Sequence, residues 1–130
     1  MFETTKAFSG FSVDDIQKAK EFYSQTLGLD IAEEKFGFGL RFSGGSAVFV
    51  YSKGKDHTPA SFTILNFPVG NIDTTVDELE AKGVEFVQYN DPNWPQDEKG
   101  IARGLSVNQG PDIAWFKDPD GNVLAVLQDK

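Results

Sequence analysis

Phe11-Ser12-Val13-Asp14-Asp15-Ile16 and Phe67-Pro68-Val69-Gly70-Asn71-Ile72 share one pattern, Phe-x-Val-x-(Asp/Asn)-Ile. Each closes an alternating, β-rich stretch, residues 7–13 and 61–69, and each opens a segment with helical periodicity. A pattern that occurs once in each half marks a duplication, and a missed repeat mis-assigns the whole fold.

In the first copy Asp14 stands three residues before Gln17, the spacing of a capping box. Ile16, Ala19, Phe22, Tyr23 and Leu27 then recur at helical spacing, and Gly28 ends the run. In the second copy Asn71 or Asp73 can cap, Ile72, Val76 and Leu79 form the apolar stripe, and Gly83 ends it. The copies also end alike. Gly45 precedes residues 46–51 and Gly121 precedes residues 122–127, each a turn glycine before a final strand. Between helix and final strand there is room for two more strands per copy, at 29–35 and 38–42, then 84–89 and 112–117. The fold class is therefore α+β, with two tandem βαβββ modules at residues 1–53 and 60–130. Residues 54–59, rich in Gly, Asp, His, Thr and Pro, read as the linker.

Composition narrows the function. The chain has 130 residues, 39% hydrophobic and 25% charged, as a globular protein does, and twelve of its residues are Phe. That aromatic content suggests a deep apolar interior or pocket. A net charge of −8 argues against nucleic acid, whose phosphates need Lys and Arg, and against anionic membrane surfaces. No apolar run reaches a spanning length, and the first ten residues lack the basic and apolar parts of an export signal. With no cysteine there is no disulfide, Cys-ligated zinc or thiol nucleophile, and a cytoplasmic location is expected.

Val-x-Asp-Ile, Phe22-Tyr23, Leu27-Gly28-Leu29, Gly83-Val84-Glu85-Phe86 and Phe116-Lys117-Asp118-Pro119-Asp120-Gly121-Asn122 together resemble the vicinal oxygen chelate superfamily. That group includes glyoxalase I, bleomycin-resistance proteins, fosfomycin-resistance enzymes and extradiol dioxygenases. The resemblance spans essentially the whole chain. It implies one glyoxalase-like domain whose curled mixed sheets surround a cavity, usually within a homodimer.

Strand alternation assigns faces. Phe11 and Val13, like Leu65, Phe67 and Val69, lead beneath a helix. Phe8, Gly10 and Ser12, and Phe62, Ile64 and Asn66, then face the cavity, as do Ala47, Phe49 and Tyr51 with Val123, Ala125 and Leu127. Metal-dependent members of the resembled group take ligands from four such positions, which map here onto Phe8, Phe49, Ile64 and Ala125. None offers an imidazole or carboxylate, so no metal or other cofactor is expected at that place. A cavity lined by Phe8, Phe49, Phe62 and Ile64 instead suits a small apolar or aromatic ligand, oriented by Ser12, Tyr51 and Asn66. The competing reading is that these side chains simply close a core.

Further candidates lie in the loops. His57, the lone histidine, could act as a general base because imidazole titrates near neutrality, although a solvated linker histidine is the simpler reading. No Gly-x-Ser-x-Gly elbow occurs. Residues 118–121 lack the spacing of a calcium loop and read as a turn, as do Gly44 and Gly45. Residues 90–110 form a long loop of the kind that serves as a lid, with Trp94 able to close over a ligand and Arg103 able to meet an anionic group. A disordered or dimer-contacting loop is the alternative. Trp115 and Phe116 alternate on one strand, so one of them faces the cavity.

The expected function is binding of a small molecule without catalysis, as in the drug-sequestering branch of the resembled group. Acidic grooves there receive cationic drugs, which the net charge permits. The alternative is a metal-independent enzyme of lyase or isomerase type using His57 or Tyr51 as acid or base. A metal-dependent lyase or dioxygenase is disfavoured by the four apolar positions.

Overall fold

The repeated Phe-x-Val stretches form strands that run directly into helices in the computed structural model, which describes all 130 residues. The chain divides into two units, Met1–Pro59 and Ala60–Lys130. In the first, β1 (Ser9–Val13) leads into α1 (Ile16–Glu21), followed by β2 (Asp30–Glu34), β3 (Gly37–Arg41) and β4 (Ala47–Ser52). In the second, β5 (Thr63–Pro68) leads into α2 (Ile72–Ala81), followed by β6 (Ala102–Arg103), β7 (Asp112–Lys117) and β8 (Val123–Gln128). The sheet orders correspond, β1-β4-β3-β2 and β5-β8-β7-β6, with the first and last strand of each unit parallel and the other pairs antiparallel. The fold is thus two tandem βαβββ modules.

Each helix begins where a short polar side chain satisfies the first free amides. For α1 that residue is Asp15, not Asp14: its carboxylate accepts from the amides of Gln17 and Lys18. For α2 it is Asn71, whose side chain accepts from Thr74. Such a cap stabilises a helix by about 1 kcal/mol. After α1 the chain widens into one π-turn, Phe22–Thr26, before Gly28 at φ 71° redirects it. Gly83, at φ 92°, serves α2 in the same way.

Each sheet buries the face beneath its helix, and β8 buries Val123 and Ala125 on its other face as well. In the first unit Phe11, Val13, Phe38, Leu40, Val48 and Val50 alternate inward and meet Ala19 and Tyr23. The Tyr23 ring lies 5.2–6.4 Å from those of Phe22, Phe11 and Phe38. In the second unit Ala114, Phe116, Leu124 and Val126 are buried together with Ile72 and Val76 of α2. Phe86 packs edge-on to Phe116 at 5.5 Å. Trp115 therefore occupies the open face and Phe116 the helix face.

Three features depart from the expected pattern. Phe8 precedes β1 and is 68% exposed, so it does not line a closed strand face. Ile64 falls at a register shift between Thr63 and Leu65, where one extra residue breaks the alternation. Residues 84–89 do not form a strand: only Phe86 bridges to Phe116, and the edge of that sheet is supplied by Ala102–Arg103. The hairpin joining β7 to β8 is locked from within. Asp118 accepts from the amides of Asp120 and Asn122 through one oxygen and from the Asn122 amide group through the other.

The phase of β7 is testable. Phe116→Ala is expected to cost about 3–5 kcal/mol in urea unfolding, as for other fully buried aromatics. Trp115→Ala, on the open face one residue away, is expected to cost about 1 kcal/mol. Equal losses would contradict the assignment of faces.

Candidate functional site

Open-face side chains gather into one cleft in the second unit. Trp115 sits opposite Ala125 in the β7–β8 ladder, and Asn66 flanks Ala125 from β5. Ala125 has nothing beyond Cβ, so the Trp115 ring has no bulky neighbour on β8. Ile113, two residues earlier, continues the same face. Tyr89 stands edge-on to Trp115, with ring centroids 5.5 Å apart and planes at 81°. Trp94 completes an aromatic wall, and the cleft encloses about 450 Å³, with Asp91, Gln96 and Gln109 at its polar points. Burial raises the Tyr89 phenol above its ordinary pKa, so at neutral pH it is a neutral group able to donate a hydrogen bond.

The segment carrying Tyr89 and Trp94 has its own internal scaffold. The Gln96 amide donates to the carbonyls of Val87 and Gly100 and accepts from the Tyr89 amide. One Asp97 oxygen accepts from the amides of Lys99 and Ile101. Within residues 90–110 the chain forms β6 and a single 3-10 turn, Leu105–Val107, so this stretch is a structured arm.

Arg103, expected to meet a ligand's anionic group, is directed at carboxylates of its own chain. It forms a bidentate pair with Asp73 at 2.7 and 3.0 Å, reaches Asp97 at 3.1 Å, and lies 3.5 Å from Asp112. Lys99 adds contacts to Asp77 at 2.9 Å and Asp73 at 3.6 Å. The hydrogen bond from Arg103 holds the Asp73 carboxyl below its ordinary pKa, and the same pairing raises that of Arg103.

The open face of the first unit brings together another group. Ser12 and Tyr51 are register partners on β1 and β4, and Ser12 Oγ lies 2.7 Å from His57 Nδ1. The reading of His57 as a solvated linker residue is thus corrected: a 3-10 turn at Gly54–Asp56 folds its half-buried ring back onto β1. Phe49 stacks on Tyr51 at 5.8 Å and 18°. Gly37 and Gly39 lie across from Tyr51 and Phe49 on β3, and the Glu34 carboxylate stands over Gly39. Phe8 and Phe49 line a wider hollow of about 790 Å³ that also holds Lys6, Glu34 and Arg41.

Of the residues singled out in the sequence, Trp94 and Trp115 share one cleft, Ser12, Tyr51 and His57 form one cluster, and Phe8 and Phe49 share one hollow. Phe62, Ile64, Asn66 and Arg103 line neither of these two cavities. Tyr89, Ile113 and Gln96 were missed. Aligning residues 112–117 with 37–41, so that Ala114 and Phe116 match Phe38 and Leu40, would have exposed Ile113 and Trp115 as the open face. The four positions compared with metal ligands hold Phe8, Phe49, Ile64 and Ala125, which carry no donor atom beyond the backbone. Elsewhere no group of three or more His, Asp or Glu side chains is arranged to hold a metal ion. These side chains do not fit a metal at that place.

The carboxylate clasp has a definite pH response. The Asp73 pKa is lower folded than unfolded, so its contribution is present above the ordinary carboxylate range and lost as pH falls through the depressed folded value. Hydrogen exchange at the Ile101 and Leu105 amides, bonded to Asp97 and Asp112 and taken relative to the intrinsic rate at each pH, should therefore remain slow from neutrality into the mildly acidic range and quicken below it. Asp73→Asn should quicken it at neutral pH already. Exchange indifferent to both would show that the clasp does not hold the arm.

The sequence model described as Glyoxalase/Bleomycin resistance protein/Dioxygenase superfamily matches residues 7–126. The chain is 28% identical to the uncharacterized protein YraH of Bacillus subtilis, over 89% of this chain and 91% of that one. Among solved structures it is similar to TnmS3, an antibiotic binding protein from Streptomyces sp. CB03234, with 23% identity, 98% of each chain covered and a TM-score of 0.65. It is similar also to the glyoxalase family protein of Enterococcus faecalis, with 18% identity, 98% and 99% coverage and a TM-score of 0.68. No helix of the chain is long and apolar enough to cross a membrane.

Proposed function

This chain belongs to the glyoxalase/bleomycin resistance protein/dioxygenase superfamily, and on that premise we propose that it binds a small apolar or aromatic molecule without using a metal. The observation that carries this reading is the meeting of Trp94, Trp115 and Tyr89 around one cleft of about 450 Å³. Aromatic walls with few polar groups are the usual make-up of a small-molecule pocket. Burial contributes about 25 cal/mol per Å² of apolar surface before association costs are subtracted. Flat rings on two walls favour a planar ligand, with Asp91, Gln96 and the Tyr89 phenol at its polar edge. The fold shared with TnmS3, an antibiotic binding protein, is compatible with a sequestering role.

The Ser12–His57 contact beside Tyr51 supports a second reading, acid–base catalysis without a metal. His57 would take or return a proton, with Ser12 orienting its ring and Tyr51 available as a second hydroxyl. The homodimer expected from the resemblance forms part of either reading.

Titration with the neutral fluorophore N-phenyl-1-naphthylamine separates these possibilities. Saturable binding of one probe per chain is expected, quenching the tryptophan emission and unchanged after dialysis against a chelator. Trp115→Ala and Trp94→Ala should each weaken it by about tenfold or more, the loss of a flat aromatic contact. Unaltered affinity in both variants would sink the cleft as the site. Chelator-resistant turnover of any substrate, lost in His57→Ala, would favour the second reading.

A further inference from the structure

The walls of the cleft differ in how they are held. Ile113 and Trp115 stand on β7, which pairs along its length with β8. Tyr89 and Trp94 stand on an arm that touches the sheet through the Phe86–Phe116 bridge at one end and β6 at the other. Each residue of such an arm costs about 1–2 kcal/mol of backbone entropy to hold in place. The Gln96 and Asp97 side chains set the arm's own shape, because their bonds to Val87, Tyr89, Gly100 and Ile101 all stay within it.

Two basic side chains tie the arm to α2, Lys99 through Asp77 and Asp73 and, with the fuller set of contacts, Arg103. Its Nε donates to Asp97 on the arm, its two terminal nitrogens grip Asp73 in the first turn of α2, and it lies across from Asp112 at the start of β7. The Asp97 carboxylate is thereby divided in function. One oxygen collects arm amides and the other receives Arg103, so a change at the guanidinium reaches the loop that follows Trp94 directly.

We infer that Arg103 is a positioning residue of the ligand cleft, fixing the arm that carries Trp94 and Tyr89 at the distance from Trp115 that a ligand requires. The inference rests on the cleft being the binding site, as proposed above. It has a consequence that a purely apolar pocket would not show. Ion pairs at partly exposed positions weaken as the Debye length falls from about 30 Å at low salt to 3 Å at 1 M, so affinity for an uncharged ligand becomes dependent on ionic strength. Apolar binding alone would be unchanged or strengthened by salt. Lysine can replace the charge but not the two-pronged grip on Asp73.

The experiment measures N-phenyl-1-naphthylamine affinity for the full chain across an ionic-strength series. Wild type should lose affinity as salt rises. Arg103→Met should bind about tenfold more weakly at low salt, mainly through faster dissociation, and should lose most of the salt dependence, leaving only the part carried by Lys99. Arg103→Lys should recover part of the affinity and part of the dependence. If Arg103→Met does not fold, Asp73→Asn, which removes the bidentate partner from outside the cleft, decides in its place. Wild-type affinity for Arg103→Met, or a salt dependence as steep as that of the wild type, would overturn the inference. Trp115→Ala separates the two failures. Loss of binding there with none in Arg103→Met defeats only the role of Arg103, whereas unchanged binding in both defeats the cleft itself.

Discussion

Each four-stranded sheet carries a helix on one face only, and the period of two along a strand then sets the environment of every side chain. Phe116 and Trp115 are adjacent and chemically alike, yet one is fully buried against Phe86 while the other stands in an open cleft. A slip of one residue in β7 would exchange them, exposing a core ring and burying the one that stands in the cleft. The Asp118 turn guards against that slip, because its carboxylate is satisfied only when Asp120 and Asn122 close the hairpin in this register.

The same constraint bears on the four positions that map onto metal ligands in the resembled group. Positions on the open faces are chemically free, since core packing does not dictate them. Here they hold Phe49, Tyr51, Ser12 and Trp115, which supply flat rings and hydroxyls but no cation ligands, while Ala125 on β8 is itself buried. Around those faces the polar groups are few and well placed, the Ser12–His57 pair in one unit and the Tyr89 phenol in the other.

The basic side chains of residues 90–110 serve architecture. In a chain of net charge −8, Lys99 and Arg103 are surrounded by Asp73, Asp77, Asp97 and Asp112. Isolated surface pairs contribute little, but a planar fork shared among three carboxylates adds geometry as well as charge. The arm it secures replaces a strand, which is why residues 84–89 contribute only one bridge to the sheet.

The sequence by itself determined the duplication, the order of elements and the inward faces of the first and last strands, because these follow from local periodicity and from turn residues such as Gly28, Gly83 and Gly121. It also determined that Phe8, Phe49, Ile64 and Ala125 bring no metal ligand, since that depends on residue type alone. What periodicity could not settle was the phase of β7, the bulge at Ile64, the course of residues 84–110 and the partners of His57 and Arg103. Those depend on pairings between residues far apart in the chain, 45 positions for Ser12 with His57 and 30 for Asp73 with Arg103. Only the folded chain brings such groups within hydrogen-bonding distance, and a local pattern holds no record of which distant carboxylate an arginine will meet.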